Sequence, residues 1–108
     1  MALKPLVFQV LLALVDGGRH GWSLVREIQQ RDDFDQIMPG NFYRTLRGML
    51  ADGLIEEVSE RAKAEADDER RRYFRLTANG TRAAAAEARR LEALVVEART
   101  KRLLAKRG

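Results

Sequence analysis

From residue 5 to residue 53 the apolar positions recur at helical spacing in three separate runs. In PLVFQVLLALVD (residues 5–16), Leu6, Val10, Ala13 and Leu14 share a face with Phe8, Leu12 and Val15 alongside, and Pro5 suits a first helical position. The pattern predicts a mostly buried helix that ends at Gly17 and Gly18. Trp22, Val25 and Ile28 then recur at i, i+3 and i+6 with Leu24 beside Ile28, predicting a second helix over 21–31 with Trp22 in the core. The polar stretch Arg31 to Gln36 reads as a connection. Pro39 opens a third helix carrying Phe42, Leu46, Met49 and Leu50 at i, i+4, i+7 and i+8, with Gly53 closing it near C′.

Beyond Gly53 the period shortens from 3.6 toward two. LIEEVSER (54–61) and RRRYFRL (70–76) read as two strands, the second with Phe74 and Leu76 on one face and Tyr73 and Arg75 on the other. Between them AKAEADDE (62–69) has no apolar side chain larger than alanine, which predicts a mobile hairpin loop or a helical turn. Thr77 is a natural N-cap for a final helix bearing Ala83 to Ala86, Leu91, Leu94, Val95 and Ala98, with Gly80 a minor interruption. If residues 78–106 are all helical, that element is about 40 Å long at 1.5 Å per residue. The fold class is therefore mainly α (α+β). The element order leads us to expect a winged helix-turn-helix domain over residues 1–76, suited to DNA binding, and a C-terminal helix with a basic tail over residues 77–108, expected to serve dimerisation.

A chain of 108 residues builds one small core with one appended element and leaves no room for most enzyme folds. It has no cysteine, which removes disulfide frameworks, thiolate zinc sites and iron–sulfur clusters together. The longest apolar run, Val10 to Val15, is far short of a membrane span, and residues 1–15 show no small-residue cleavage site, so a cytoplasmic protein is expected. Charge is +4, from 20 Lys plus Arg against 16 Asp plus Glu, and the pI of about 10.0 hints at a polyanionic partner. Yet residues 1–53 hold six basic and six acidic side chains, 54–76 hold six and seven, and 77–108 hold eight and three. The whole surplus thus lies in the last segment.

Placing Phe42 at the centre of the buried face of the third helix turns Asn41, Arg44, Arg47, Gly48 and Ala51 outward, with Tyr43 flanking them. Arginine can read guanine bidentately, asparagine can read adenine, and tyrosine can donate to phosphate or stack, while Gly48 and Ala51 allow close approach to a major groove. The competing reading is an ordinary solvated helix face. Arg70, Arg71, Arg72 and Arg75 follow the acids Glu65, Asp67, Asp68 and Glu69 at the loop tip. These arginines either clamp phosphates from a wing or pair with the acids on a solvated hairpin. Exposed pairs of that kind are worth about 0–1 kcal/mol, so phosphates could displace them.

HGWSLVREI (20–28), PGNFYRTLRGMLADGLIEE (39–57) and DDERRRYFRLTANG (67–80) together resemble a PadR-family transcriptional regulator over about residues 3–82. The family shows H-G-Y, P-G-x-L-Y-x-x-L-x-x-L-x-x-x-G-L-I and R-x-Y-Y-x-L-T-x-x-G at these places. The middle and last motifs are specific in combination, since MarR-like and ArsR-like winged helices share related wing and G-L-I signatures. The resemblance implies a homodimeric repressor on double-stranded DNA, with positions matching Asn41, Tyr43, Arg44 and Arg47 in the major groove and a wing through Arg70 to Arg72. The short C-terminal part resembles the subfamily with a single dimerisation helix. Trp22 stands where the family usually has tyrosine, Phe42 where leucine is usual, and Asn41 where threonine or serine is common, so Asn41 could change base preference.

Leu91, Leu94, Val95 and Ala98 form a stripe at i, i+3, i+4 and i+7 that a core of three helices and a hairpin does not need. The economical cover is the same helix of a second copy, with Phe8 or Leu12 of the first helix joining an isologous contact. Arg99, Lys101, Arg102, Lys106 and Arg107 read as a solvated, frayed end. His20, the one histidine, is expected to cap or pack, since no cysteine or second histidine completes a metal site. No nucleophile, base and orienter are spaced for catalysis, and no glycine loop is shaped to cradle phosphate, so neither an enzyme nor a cofactor is expected. The family resemblance implies that some members sense a small-molecule effector at the dimer interface, although the run of alanines opening the last helix favours close packing over a cavity. A winged-helix protein–protein interaction module and a MarR-like effector-responsive regulator remain the alternatives.

Overall fold

The structure, a computed structural model, describes residues 2–58 and 72–105. Its elements run α1 (Pro5–Leu14), β1 (Arg19–His20), α2 (Gly21–Gln29), a 3₁₀ turn (Asp32–Phe34), α3 (Pro39–Ala51), β2 (Ile55–Glu57), β3 (Tyr73–Leu76) and α4 (Ala78–Thr100). The three strands form one antiparallel sheet in the order β1-β3-β2. Arg19 lies opposite Phe74 and His20 opposite Tyr73, while Ile55 pairs with Leu76 and Glu57 with Phe74. The Val58 amide donates to the Tyr73 carbonyl at 2.9 Å and carries the hairpin ladder one residue further. The expected loop at 62–69 and the strand ends beyond Val58 and before Arg72 lie outside the described residues.

The core forms where three helical stripes meet one sheet face. Val10, Leu11, Ala13 and Leu14 of α1, Leu24, Val25 and Ile28 of α2, Phe42, Tyr43, Leu46 and Met49 of α3, and Ile55, Phe74 and Ala84 are all buried in one cluster. Trp22 departs from expectation, for it is 45% exposed and stacks on His20 with ring centroids 6.2 Å apart. The buried stripe of α2 starts one residue earlier, at Gly21, and runs through Leu24, Val25 and Ile28 at i, i+3, i+4 and i+7. That register rotates Trp22 about 100° off the core face. His20 packs as expected, with its ring meeting Tyr73 edge-on at 5.0 Å.

β1 was not expected. Two residues are too few to show a period, and the pairing arises because Gly18 to His20 pass directly beside β3, where the Gly21 amide also donates to the Arg72 carbonyl at 2.9 Å. The final helix also differs from expectation, ending at Thr100 instead of continuing to residue 106. Arg102 adopts φ 66°, the Leu103 amide donates to the Ala98 carbonyl at 2.9 Å and the Arg102 amide to that of Arg99 at 3.0 Å. These paired bonds are a Schellman stop, built around an arginine where glycine or asparagine would normally announce it. At 23 residues α4 is about 35 Å long.

Gly80 is more than an interruption. A Cβ there would lie 2.0 Å from the Leu54 carbonyl oxygen and 3.0 Å from its carbon, so α4 starts against the backbone that leaves α3. Thr77 fastens the same joint. Its hydroxyl donates to the Gly53 carbonyl at 2.6 Å and accepts from the Gly80 amide at 3.0 Å, while its own amide donates to Leu54 at 3.2 Å. Gly53, at φ 75°, ends α3 as expected.

Further along α4, Glu87 is 4% exposed. Its carboxylate accepts from Arg90 Nη2 at 2.6 Å and Nε at 2.9 Å and from the Leu3 amide at 3.3 Å, tying the segment ahead of α1 to α4. The Arg90 hydrogen bonds hold the Glu87 carboxyl below its ordinary range, against the opposing effect of its burial.

Gly80→Ala forces backbone apart and should lower stability by about 1–3 kcal/mol in denaturant titrations. Because the Glu87 carboxyl is depressed in the folded state, its stabilisation is complete above the unfolded value of about 4.3 and is lost as pH falls through the depressed one. Glu87→Gln should therefore be less stable than wild type at neutral pH and converge with it in acid, as read from unfolding midpoints across that range.

Candidate nucleic-acid interface

α3 is amphipathic across its whole length. Phe42, Tyr43, Leu46 and Met49 are buried, while Asn41, Arg44, Arg47, Gly48 and Ala51 are exposed together on the other side. The start of the helix is set by Pro39 and by Gln29 Nε2, which donates to the Ile37 carbonyl at 3.2 Å and holds the preceding turn against α2. Arg44 Nη1 donates to Asn41 Oδ1 at 3.2 Å, and Thr45 Oγ1 donates to the Asn41 carbonyl at 3.1 Å. Asn41 and Arg44 thus present one linked array of hydrogen-bonding groups at the N-terminal half of the exposed face.

Tyr43 requires a correction. Expected beside the outward residues, it is 6% exposed and packs edge-on against Phe42 at 5.6 Å. Taking Phe42 as the centre of the stripe misplaced it. With Leu46, Met49 and Leu50 included, the centre shifts toward Leu46 and Tyr43 falls only about 60° from it, inside the apolar arc.

Gly48 lies on the exposed face, and a Cβ built there would meet nothing within 4 Å. The fold gives no reason for a glycine at this position, although glycine inside a helix costs about 1 kcal/mol relative to alanine. What its absent side chain leaves is access to the α3 backbone from outside.

The remaining arginines are mostly engaged within the domain. Arg19 meets Glu27 at 2.7 Å and Ser23 Oγ at 2.8 Å, and Arg31 meets the same Glu27 at 2.9 Å and also bonds Gln9. Of the expected wing arginines, Arg70 and Arg71 lie outside the described residues. Arg72 is half-buried beside Glu57 at 3.6 Å, and Arg75 pairs with Glu56 at 2.6 Å. These acids stand on β2, across the ladder from the arginines. The loop-tip acids expected as partners lie outside the described residues.

Of the residues expected at a dimer contact, Leu12 is exposed on α1, Phe8 is half-buried, Leu94 and Val95 are exposed on α4, and Leu91 and Ala98 are half-buried. Val96, Leu103 and Leu104 add to the exposed apolar surface beyond the core. Among the described residues no three His, Asp or Glu side chains converge to hold a metal ion, and no helix is long and apolar enough to cross a membrane.

Three helices in helix-turn-helix order, a small antiparallel sheet and a long last helix define a winged-helix protein. The chain belongs to the transcriptional regulator PadR-like family, whose profile matches residues 10–86. No curated protein sequence matches it significantly. Its fold is similar to that of a transcriptional regulator from Clostridium thermocellum, at 18% identity and a TM-score of 0.66, covering 94% of this chain and 90% of that one. ZitR of Lactococcus lactis is similar at 18% identity and a TM-score of 0.66, with 98% of this chain covering 65% of that one. The adhesin competence repressor AdcR of Streptococcus pyogenes is similar at 15% identity and a TM-score of 0.62, with coverages of 95% and 69%.

Proposed function

We propose that this transcriptional regulator is a homodimeric, sequence-specific repressor that reads a palindromic site on double-stranded DNA. The observation that carries the reading is the exposed face of α3, where Asn41, Arg44 and Arg47 stand with the sterically open Gly48 on a helix whose other side is locked into the core. A helix so mounted can enter a major groove, with Arg44 and Arg47 matched to guanine, Asn41 matched to adenine, and Gly48 admitting close approach. Arg70, Arg71 and Arg72 act from the wing as phosphate contacts that set register without reading sequence. The division into a DNA-binding domain (1–76) and a dimerisation helix (77–108) belongs to the same proposal.

The dimer reading rests on a continuous seam. Gly80, Ala84 and Glu87 are the buried positions of α4, and the spacing of alternately four and three residues continues through Leu91, Leu94 and Ala98. The core covers the first half of that seam and leaves Leu94 and Val95 exposed on the second. The same helix of a second copy, related by a two-fold axis, can bury it and would also supply a second recognition helix for a palindrome.

Selection from a random duplex library should yield a palindromic site. Arg44→Ala should cost about 1–3 kcal/mol on it and relax preference at one base position per half-site. Gly48→Ala should raise the unfolding midpoint, by up to about 1 kcal/mol of stability, while weakening DNA binding. Salt-insensitive or absent duplex binding would favour the interaction-module reading instead. Leu94→Glu changes a side chain outside the core and should leave the winged-helix core folded while giving a monomer in sedimentation equilibrium, whereas an unchanged dimer would move the interface elsewhere.

A further inference from the structure

A groove of about 360 Å³ runs beside α3, between it and the N-terminal segment. Leu3, Lys4 and Val7 line one wall, and Arg44, Gly48 and Asp52 line the other. Arg44 and Gly48 belong both to this groove and to the exposed face of α3, so a body lying along that face also meets the groove. The N-terminal wall has a fixed position. The Leu3 amide is bound by Glu87 at 3.3 Å, and Lys4 is the extended residue at which α1 begins, followed at once by Pro5. Lys4 is exposed and engaged by no carboxylate among the described residues, in contrast to Arg19, Arg31, Arg72 and Arg75.

We infer that this groove takes one sugar–phosphate strand of the duplex and that Lys4 is a phosphate-binding residue that positions α3 in the major groove. The inference rests on the DNA reading above and extends it to a surface outside α3 and the wing. The major groove is about 12 Å wide and bounded by two phosphate strands, so a helix seated in it has a strand along its flank. Here that flank is concave and carries the cation Lys4, with Arg44 at the edge the groove shares with the exposed face of α3. Its apolar walls, Leu3 and Val7, suit the deoxyribose faces between phosphates. Asp52 caps the far end of α3, eight residues and about 12 Å from Arg44, and repels phosphate there. The charge pattern therefore sets where along α3 the strand can lie, and the Leu3–Glu87 bond holds Lys4 at that place.

The test compares wild type, Lys4→Gln, Lys4→Arg, Asp52→Asn and Arg44→Ala on the selected duplex and on random duplex, from about 50 to about 200 mM salt. Lys4→Gln should weaken binding to both duplexes by the same factor, roughly three- to tenfold, and reduce the salt slope by about one unit with base preference unchanged. Lys4→Arg should restore affinity and slope. Asp52→Asn should strengthen binding to both duplexes by about two- to threefold, the effect of lifting one repulsive charge near a phosphate. Lys4 is exposed, so an unaltered thermal melt is expected and confirms that the comparison concerns binding. If Lys4→Gln keeps wild-type affinity and slope while Arg44→Ala loses base preference, α3 reads DNA and the groove does not hold the strand. If wild type binds no duplex, the DNA reading fails and this inference fails with it.

Discussion

The contact between α4 and the backbone that leaves α3 governs the geometry of the molecule. Gly80 lies so close to the Leu54 carbonyl that no side chain fits, and Thr77 closes the same joint with bonds to Gly53, Leu54 and Gly80. Three directions are fixed there at once, because α3 ends, β2 begins and α4 begins within a few ångströms. A recognition helix is useful to a two-fold dimer only if its angle to the dimer contact is rigid, since two recognition helices must match the spacing of successive major grooves. A joint made of backbone contacts and a capping hydroxyl transmits that angle better than flexible side chains would. The Leu3–Glu87 bond adds a second tie, from α4 to the segment that flanks α3.

Charge acts in this molecule through placement. The net surplus of +4 arises from the last 32 residues, whereas the winged-helix part is nearly neutral. Within that part, Glu27, Glu56 and Glu57 engage Arg19, Arg31, Arg75 and Arg72, and Arg44 is left on the exposed face of α3 with an asparagine as its partner. Exposed ion pairs of this kind contribute little to stability, so their main effect is on the local field around Arg19, Arg31, Arg72 and Arg75.

How far the sequence anticipated the structure depended on how much of each period was available. The α3 stripe from Phe42 to Leu50 spans more than two turns and located both the helix and its outward Asn41, Arg44 and Arg47. The residues at the edge of a stripe were read less well: Tyr43 and Trp22 each lie one position from a core residue, and a shift of some 40° in the assumed centre exchanges buried for exposed. β1 has two residues and no period to read. The stop of α4 was hidden because Arg102 takes a left-handed conformation that its residue type does not advertise, at a cost of about 1–2 kcal/mol. The groove at Lys4 was invisible for a different reason, since it exists only where two segments about 40 residues apart come together.

The second half of α4 poses the sharpest energetic question in the fold. A helix of this length is marginal in water unless one face is buried, because propensity contributes too little to offset the ordering of its backbone. Ala84 and Glu87 supply that burial up to about residue 87, after which Leu91 and Ala98 are only half-buried and Leu94 and Val95 are exposed. The terminal half has a Schellman stop and the Glu97–Lys101 pair at 2.8 Å to support it, each worth a fraction of a kcal/mol to about one. Such local terms can bias a helix but not hold one against fraying. Leu94 and Val95 must therefore find apolar contact if this half is to persist, and burying them alone would contribute roughly 3 kcal/mol or more in each copy. In the proposed dimer the order of the last helix and the pairing of the two copies of α3 would be one equilibrium, and the spacing between those two helices would become defined only when α4 is complete.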